Sequence, residues 1–218
     1  MTFYQQLQDS TARERDYLLS APIIEACRTG DINKEMYIAF LKQAYYHVRH
    51  TVPLLMATGG KLPQDYEWVR GAIAEYIAEE YGHQEWILND IRACGSDAES
   101  VRTGQPGLSI ELMVAFLYDQ ITRLNPMGFF GMVQVLEGTS VAIALNVAEQ
   151  LKKGLSLPSN AMSYLSSHGA LDQEHLRFFE SLMNKVEKPE DQQAIIHSAK
   201  VVYRLYGNML REITGHLA

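Results

Sequence analysis

Apolar residues in this chain recur at steps of three and four along extended stretches, whereas alternating runs rich in Val, Ile and Thr are absent. Steps of three and four put apolar side chains on one face of an α-helix, while alternation is the pattern of a half-buried strand. Clear turn signals separate the stretches, notably "GGKLPQD" at residues 59–65 and "CGSDAESVRTGQPGLS" at residues 94–109. The pattern predicts an all-α fold, with residues 1–218 forming a single-domain bundle of about seven or eight helices.

The turn signals also set the bounds of the predicted helices. Two short helical regions are expected, one ending near Ser20 and one at about residues 23–28. The longer predicted helices cover roughly residues 34–58 with a bend at Pro53, 64–93, 110–124, 126–154, the stretch between "LSLPSN" and "EKPED", and the C-terminal stretch.

Charge and cysteine content exclude several classes of protein. The formal net charge is −7, whereas nucleic-acid binding needs clustered Lys and Arg, so no nucleic-acid partner is expected. Cys27 and Cys94 form no C-x-x-C motif and no disulfide-dense pattern. No apolar run reaches the roughly 18 residues of a membrane span, and the N-terminal stretch lacks the apolar core of a signal peptide. We therefore expect a soluble, unprocessed cytoplasmic protein without a membrane partner.

Three predicted helices carry acids and histidines in the middle of their apolar faces. Stepping by three and four along residues 64–93, along 126–154 and along the helix after "LSLPSN" picks out, in that order, Glu80 with His83, Glu137, and His168 with Asp172 and His175. Glu79 lies about 100° away from the first face, so Glu80 is the better candidate there. Lys and Arg are absent from all three faces.

Buried carboxylates cost several kcal/mol each unless something compensates their charge. Raised pKa values, ion pairs from another helix and bound metal are the available compensations, and metal suits this set best. Three carboxylates and three imidazoles are a ligand mixture suited to iron or manganese. Six ligands exceed the needs of one ion that must also bind substrate, so the set predicts two bridged ions, with the Glu-x-x-His spacing placing Glu80 and His83 on one helical turn.

Several of these residues also have an explanation in ordinary helix packing, without any metal. A single histidine on an apolar face is more often a hydrogen-bonded core residue than a ligand, and the metal hypothesis depends on six residues acting together. Tyr76 lies on the same face as Glu80 and can line the site, act as a redox tyrosine or simply pack in the core. His47 and His50 are left outside the ligand set, and helix packing is the favoured role for Gly131 and Gly138.

Taken with these residues, most of the chain resembles the heme-oxygenase-like superfamily, which includes TenA thiaminases, pyrroloquinoline-quinone synthase and di-iron oxidases and oxygenases. The resemblance is strongest to the di-iron branch, which contains the chlamydial para-aminobenzoate-forming protein and the 1-alkene-forming fatty-acid decarboxylase. Glu80, His83, Glu137, His168, Asp172 and His175 match the ligand positions of that branch. Some members place the first Glu seven residues before the His, where this chain has Tyr76.

The resemblance implies an enzyme that uses O2 and two iron ions, with manganese as an alternative metal, to oxidise a small organic substrate or one of its own side chains. It implies metal ligation by all six residues and a homodimer. From the chemistry of the set we choose Glu137 as the bridging ligand, and Glu137 and Tyr76 are the candidate catalytic residues. Heme is disfavoured because the first histidine is His47, and a TenA-type nucleophile is disfavoured because neither cysteine is central. The alternatives are a metal-free enzyme acting on a pyrimidine or quinone precursor and a non-catalytic helical interaction protein.

Overall fold

The computed structural model describes the backbone of residues 1–138 and 157–215, with all side chains of these ranges except residues 159, 167–175 and 215. Within these ranges every regular element is helical, which confirms the all-α prediction. No helix of the described part is both long and apolar enough to cross a bilayer.

The helical region predicted to end near Ser20 is divided into two helices, and the one predicted over residues 23–28 is a third. They are α1 (Phe3–Ser10), α2 (Ala12–Leu19) and α3 (Pro22–Thr29). Thr2 and Gln5 form a reciprocal capping box at the start of α1. Gly30 ends α3 with a φ of 82°, a left-handed conformation that only glycine adopts at little cost.

The predicted helix over residues 34–58 is two helices, α4 (Lys34–Val48) and α5 (Thr51–Lys61). The predicted bend of one long helix at Pro53 is therefore wrong. Pro53 lies in the first turn of α5, where its missing N–H removes no helical hydrogen bond. Apolar periodicity continues across the break, which is why it was not visible in the sequence pattern.

The predicted helix over residues 64–93 is also divided, into α6 (Glu67–Glu80) and α7 (His83–Ala93). The predicted loop over residues 94–109 contains a further short helix, α8 (Ala98–Thr103), which begins after an Asp97 cap that accepts from the Glu99 and Ser100 amides. The glycines and proline of this segment predict a loop, but the Asp97 cap starts a helix between them.

The remaining helices frame the predicted metal centre. Leu108–Asp119 form α9, which continues as a π-helical turn over Gln120–Leu124, and Pro126–Phe129 form a 3-10 turn before α10. The described part of α10 is residues 130–138, and the predicted continuation to about residue 154 lies outside the described residues. Two long helices follow, α11 (Ser163–Met183) and α12 (Pro189–Gly215).

Helix α12 packs against α2, α3, α4 and α9, while α7 packs against both α4 and α11. The interior between them is almost entirely aliphatic and aromatic. Burial of this apolar surface is the main force holding the helices together.

Gly131 is a point of close approach between α10 and α12. A Cβ at this position would lie 2.4 Å from the backbone nitrogen of Ala199 and 2.7 Å from the carbonyl oxygen of Ile195. These are backbone atoms, so no side-chain rotation relieves the clash. Gly131 thus has the helix-packing role favoured above, because its missing side chain lets α10 and α12 approach closely.

We expect Gly131→Ala to lower the free energy of unfolding by about 1–3 kcal/mol, because α10 and α12 must separate to admit the methyl group. Gly71→Ala is the matched control. Gly71 lies within α6 with open space around the added Cβ, so this change should raise stability by about 0.5–1 kcal/mol. Urea unfolding of both variants measures the two effects, and a Gly131→Ala protein as stable as wild type would contradict the assigned contact.

Candidate metal centre

Glu80 and His83 face each other across the break between α6 and α7. Glu80 is the last residue of α6 and His83 the first of α7, with Tyr81 extended and Gly82 at a φ of 94° between them. The prediction that both residues project from one helical turn is therefore wrong. Gly82 adopts a left-handed conformation that other residues adopt only with strain, and the two side chains meet across this turn.

The Glu80 and His83 side chains are close and largely shielded from water. His83 Nδ1 lies 3.1 Å from Glu80 Oε2, and the two side chains are 5% and 19% exposed respectively. The ring of Trp86 stacks on the His83 imidazole with 4.1 Å between ring centroids, which holds the plane of the imidazole. Glu79 is exposed, so burial favours Glu80 over Glu79.

Tyr76 lies near this pair and near Glu137 of α10. Its side chain is buried, and its hydroxyl makes no hydrogen bond of regular geometry to a described residue. Burial raises the pKa of Tyr76 far above its ordinary value, and the nearby carboxylates raise it further, that of Glu137 first. Glu137 Oε2 is itself buried. Tyr76 thus lies close to the carboxylates of both Glu80 and Glu137.

Two contacts set the course of α11 past this region. At its start, the backbone amides of Ser163 and Tyr164 donate to Asp90 of α7. Further along, Phe178 packs edge-on against Tyr76 of α6, with ring centroids 5.5 Å apart. Helix α11 therefore runs antiparallel to α6 and α7.

Phe178 follows Ser163 by about 22 Å along the helix, at 1.5 Å per residue. Residues 168–175 of α11 therefore lie between the contact with Asp90 of α7 and the contact with Tyr76 of α6.

The side chains of His168, Asp172 and His175 lie outside the described residues, so their predicted roles as ligands stay predictions. Among the described side chains, no group of three or more His, Cys, Asp or Glu residues is arranged to hold a metal ion. The described part of the centre is the Glu80–His83 pair with Glu137 nearby. These are three of the six predicted ligands.

A cleft of about 430 Å³ opens beside α1. Its lining consists of Met1, Tyr4, Gln5, Gln8, Asp9 and Glu180. Burial raises the pKa of Tyr4, a hydrogen bond with Gln8 lowers it, and the negative charges of Glu180 and Glu137 raise it. The pKa of Tyr4 thus responds to the charge of Glu180, which lines the cleft, and to that of Glu137.

The other histidines and the cysteines have different surroundings. His47 is 3% exposed, with its ring edge-on to Tyr206, while His50 Nδ1 lies 3.1 Å from the Tyr118 hydroxyl. Burial raises the pKa of the Cys27 thiol to about 11. A thiol with that pKa is a poor nucleophile at neutral pH, which agrees with assigning it no catalysis.

Two residues at this centre were missed in the sequence. Asp90, fully buried, continues the face of His83 and Ile87 by one more step of three, so the same stepping would have found it. Gln134 is buried one turn before Glu137 and accepts a hydrogen bond from Gln8 at 3.3 Å. It lay within the predicted face of α10 and was passed over because it is neither acidic nor a histidine.

One family in the sequence comparisons matches the chain. The sequence model of a family described as "Iron-containing redox enzyme" covers residues 38–207. No curated protein shows significant sequence similarity to the chain.

Solved structures resemble the fold closely at low sequence identity. A Shewanella denitrificans domain with a heme oxygenase-like fold is 21% identical, with a TM-score of 0.86 and coverage of 98% of this chain and 93% of the other. A TenA homologue from Pseudomonas syringae is 12% identical, with a TM-score of 0.80 and coverage of 98% and 93%. Heme oxygenase-1 from Synechocystis, in complex with heme, is 11% identical, with a TM-score of 0.76 and coverage of 100% and 94%. These likenesses show the heme-oxygenase-like fold.

The raised pKa of Tyr76 predicts a specific loss of stability in alkali. The unfolded chain releases this phenolic proton near pH 10 while the folded chain keeps it, so stability falls as pH rises above 10. Between pH 9 and pH 11, wild type should lose about 1.4 kcal/mol more than Tyr76→Phe. Urea unfolding at both pH values measures the difference. Equal losses in the two proteins would show that Tyr76 ionises as readily in the folded chain as in the unfolded one.

Proposed function

The chain belongs to the family of iron-containing redox enzymes whose sequence model spans residues 38–207, and on this premise we propose that it is a non-heme oxidase or oxygenase. It uses O2 and two iron ions, or iron with manganese, to oxidise a small organic molecule or one of its own side chains. The observation that carries the proposal is the pairing of buried His83 with partly buried Glu80, with a nitrogen-to-oxygen distance of 3.1 Å.

The chemistry of the described donors fits such ions. A carboxylate and an imidazole are donor types that iron and manganese accept, and both are shielded from water here. Glu137 adds a second carboxylate with a buried oxygen. A site that gathers carboxylates away from water lowers its free energy by taking up a divalent cation.

Each predicted ligand has a place in this proposal. Glu80 and His83 hold one ion, and Trp86 keeps the His83 ring in the plane it needs. His168 and His175 with Asp172 would hold the other. Glu137, on α10, would add the carboxylate that the two ions share. Iron, when bound, supplies the one-electron chemistry that the reaction with O2 requires.

Tyr76 and Tyr4 shape the surroundings of the centre. The pKa of Tyr76 is raised by burial and by Glu137, so its Oη keeps its proton at neutral pH. The neutral phenol adds no charge beside the Glu137 carboxylate, where a further negative charge would be repelled. The cleft beside Tyr4 has a volume within the range of small-molecule sites, and we assign it as the approach for an organic substrate.

Heme has no place in the proposal. Helices α1 to α3 contain no histidine, and His47, the first in the chain, packs against Tyr206. The likeness to a heme-binding structure is one of fold.

Anaerobic titration with Fe(II) tests the proposal directly. Wild type should bind about two ions per chain and then consume O2 when exposed to it. His83→Ala and Glu137→Ala should each reduce the bound iron to about one ion or less, because each removes a direct ligand. Metal analysis after desalting gives the stoichiometry.

His197→Ala is the matched control, since His197 is exposed on α12 and packs against Phe116. It should retain wild-type iron. A wild-type chain without stoichiometric metal that turned over a pyrimidine or a quinone precursor would overturn the proposal in favour of a metal-free enzyme. Variants that changed only stability would point to a non-catalytic helical protein.

A further inference from the structure

Helix α11 begins without a cap of its own. Its N-cap residue is Met162, whose side chain makes no capping hydrogen bond, although the first amides of a helix have no partner within it. The partner comes from another helix. The Ser163 amide donates to Asp90 Oδ1 at 3.0 Å and the Tyr164 amide to Oδ2 at 2.9 Å, while the Ser163 hydroxyl donates to Oδ1.

Asp90 is fully buried, so these bonds replace the water that its carboxylate loses. Burial raises the pKa of Asp90, and the bonds from Ser163 and from the Tyr164 amide lower it. A negative charge at the N-terminus of a helix is also favoured by the helix dipole. The carboxylate and the first turn of α11 thus stabilise each other.

A second buried contact holds the same end of α11. The Tyr37 hydroxyl of α4 donates to the carbonyl oxygen of Ala161, in the turn that precedes α11, at 2.9 Å. The start of α11 is therefore attached to α7 and to α4.

Asp90 and His83 lie on the same helix and on the same face of it. Seven residues separate them, which is about two turns and 10.5 Å along the axis of α7. Along α11, residue 168 lies about 7.5 Å and residue 172 about 13.5 Å from Ser163. Because the two helices run antiparallel, His83 is level with the part of α11 between these two residues.

We propose that Asp90 is a positioning residue of the metal centre: by capping α11 from α7, it places the α11 segment containing residues 168–175 in register with His83. The proposal rests on the metal-binding function proposed above. Asp90 does not touch the ions. It acts through the backbone of α11, since loss of its bonds frees the first turn to shift or unwind.

The test compares Asp90→Ala with Asp191→Ala. Asp191 is a matched control because it is another buried aspartate, which accepts from the Tyr66 hydroxyl at 2.6 Å and the Asn125 amide at 2.8 Å near the start of α12. Both variants should lower Tm. Only Asp90→Ala should weaken the binding of one of the two Fe(II) ions, by about tenfold or more, and only it should speed amide hydrogen exchange in residues 163–175.

Asp90→Asn separates a lost cap from a protein that fails to fold. Its side-chain oxygen still accepts from Ser163, while the amide group that replaces the second oxygen cannot accept from Tyr164. Iron affinity and exchange rates between those of wild type and Asp90→Ala support the proposal. Two results would overturn it. One is wild-type iron affinity together with wild-type exchange rates in Asp90→Ala, and the other is an equal loss of iron affinity in Asp191→Ala.

The same measurements separate this proposal from the function it rests on. If wild type binds no Fe(II), the metal function fails, and amide exchange in residues 163–175 of Asp90→Ala still decides whether Asp90 holds α11.

Discussion

A carboxylate that leaves water must find partners of comparable strength, and this constraint shapes the centre of the bundle. Asp90 meets it with two backbone amides and a hydroxyl at the start of α11. Glu80 meets part of it with His83. Because an uncompensated buried charge costs several kcal/mol, the helices that carry these acids can pack only in arrangements that bring the partners with them.

Helix α7 carries one residue of each contact, His83 in the contact with Glu80 and Asp90 in the contact with α11. Its first residue, His83, faces Glu80, and two turns later Asp90 caps α11. A helix is stiff over this length, so the turn at Gly82 and the start of α11 are held at a set separation. The break at Gly82 shows that the prediction of a single helix was wrong. Glu80 and His83 are nevertheless close, because a left-handed glycine turn and a helical turn both bring residues three apart close together.

Helix faces indicate which side chains the sequence places toward the interior. Glu80, His83 and Tyr76 were found by steps of three and four, and all three lie at one end of α6 and the start of α7. Asp90 was missed only because the stepping stopped at Ile87. The same steps include Gln134, but its contact with Gln8 of α1 joins residues that are 126 apart in sequence and cannot be found from one helix face. The surroundings of Tyr4, on α1, come likewise from other helices.

By itself, the sequence determined that the chain is helical, which residues form the buried faces and that acids and histidines interrupt those faces. Apolar periodicity is a local property, and the burial of apolar surface acts on it directly. Only the tertiary structure decided where α4 gives way to α5 and α6 to α7, that α11 runs antiparallel to α7, and that Asp90 supplies the cap α11 lacks. Those outcomes depend on hydrogen bonds and close packing between residues distant along the chain, and periodicity along one helix contains no information about them.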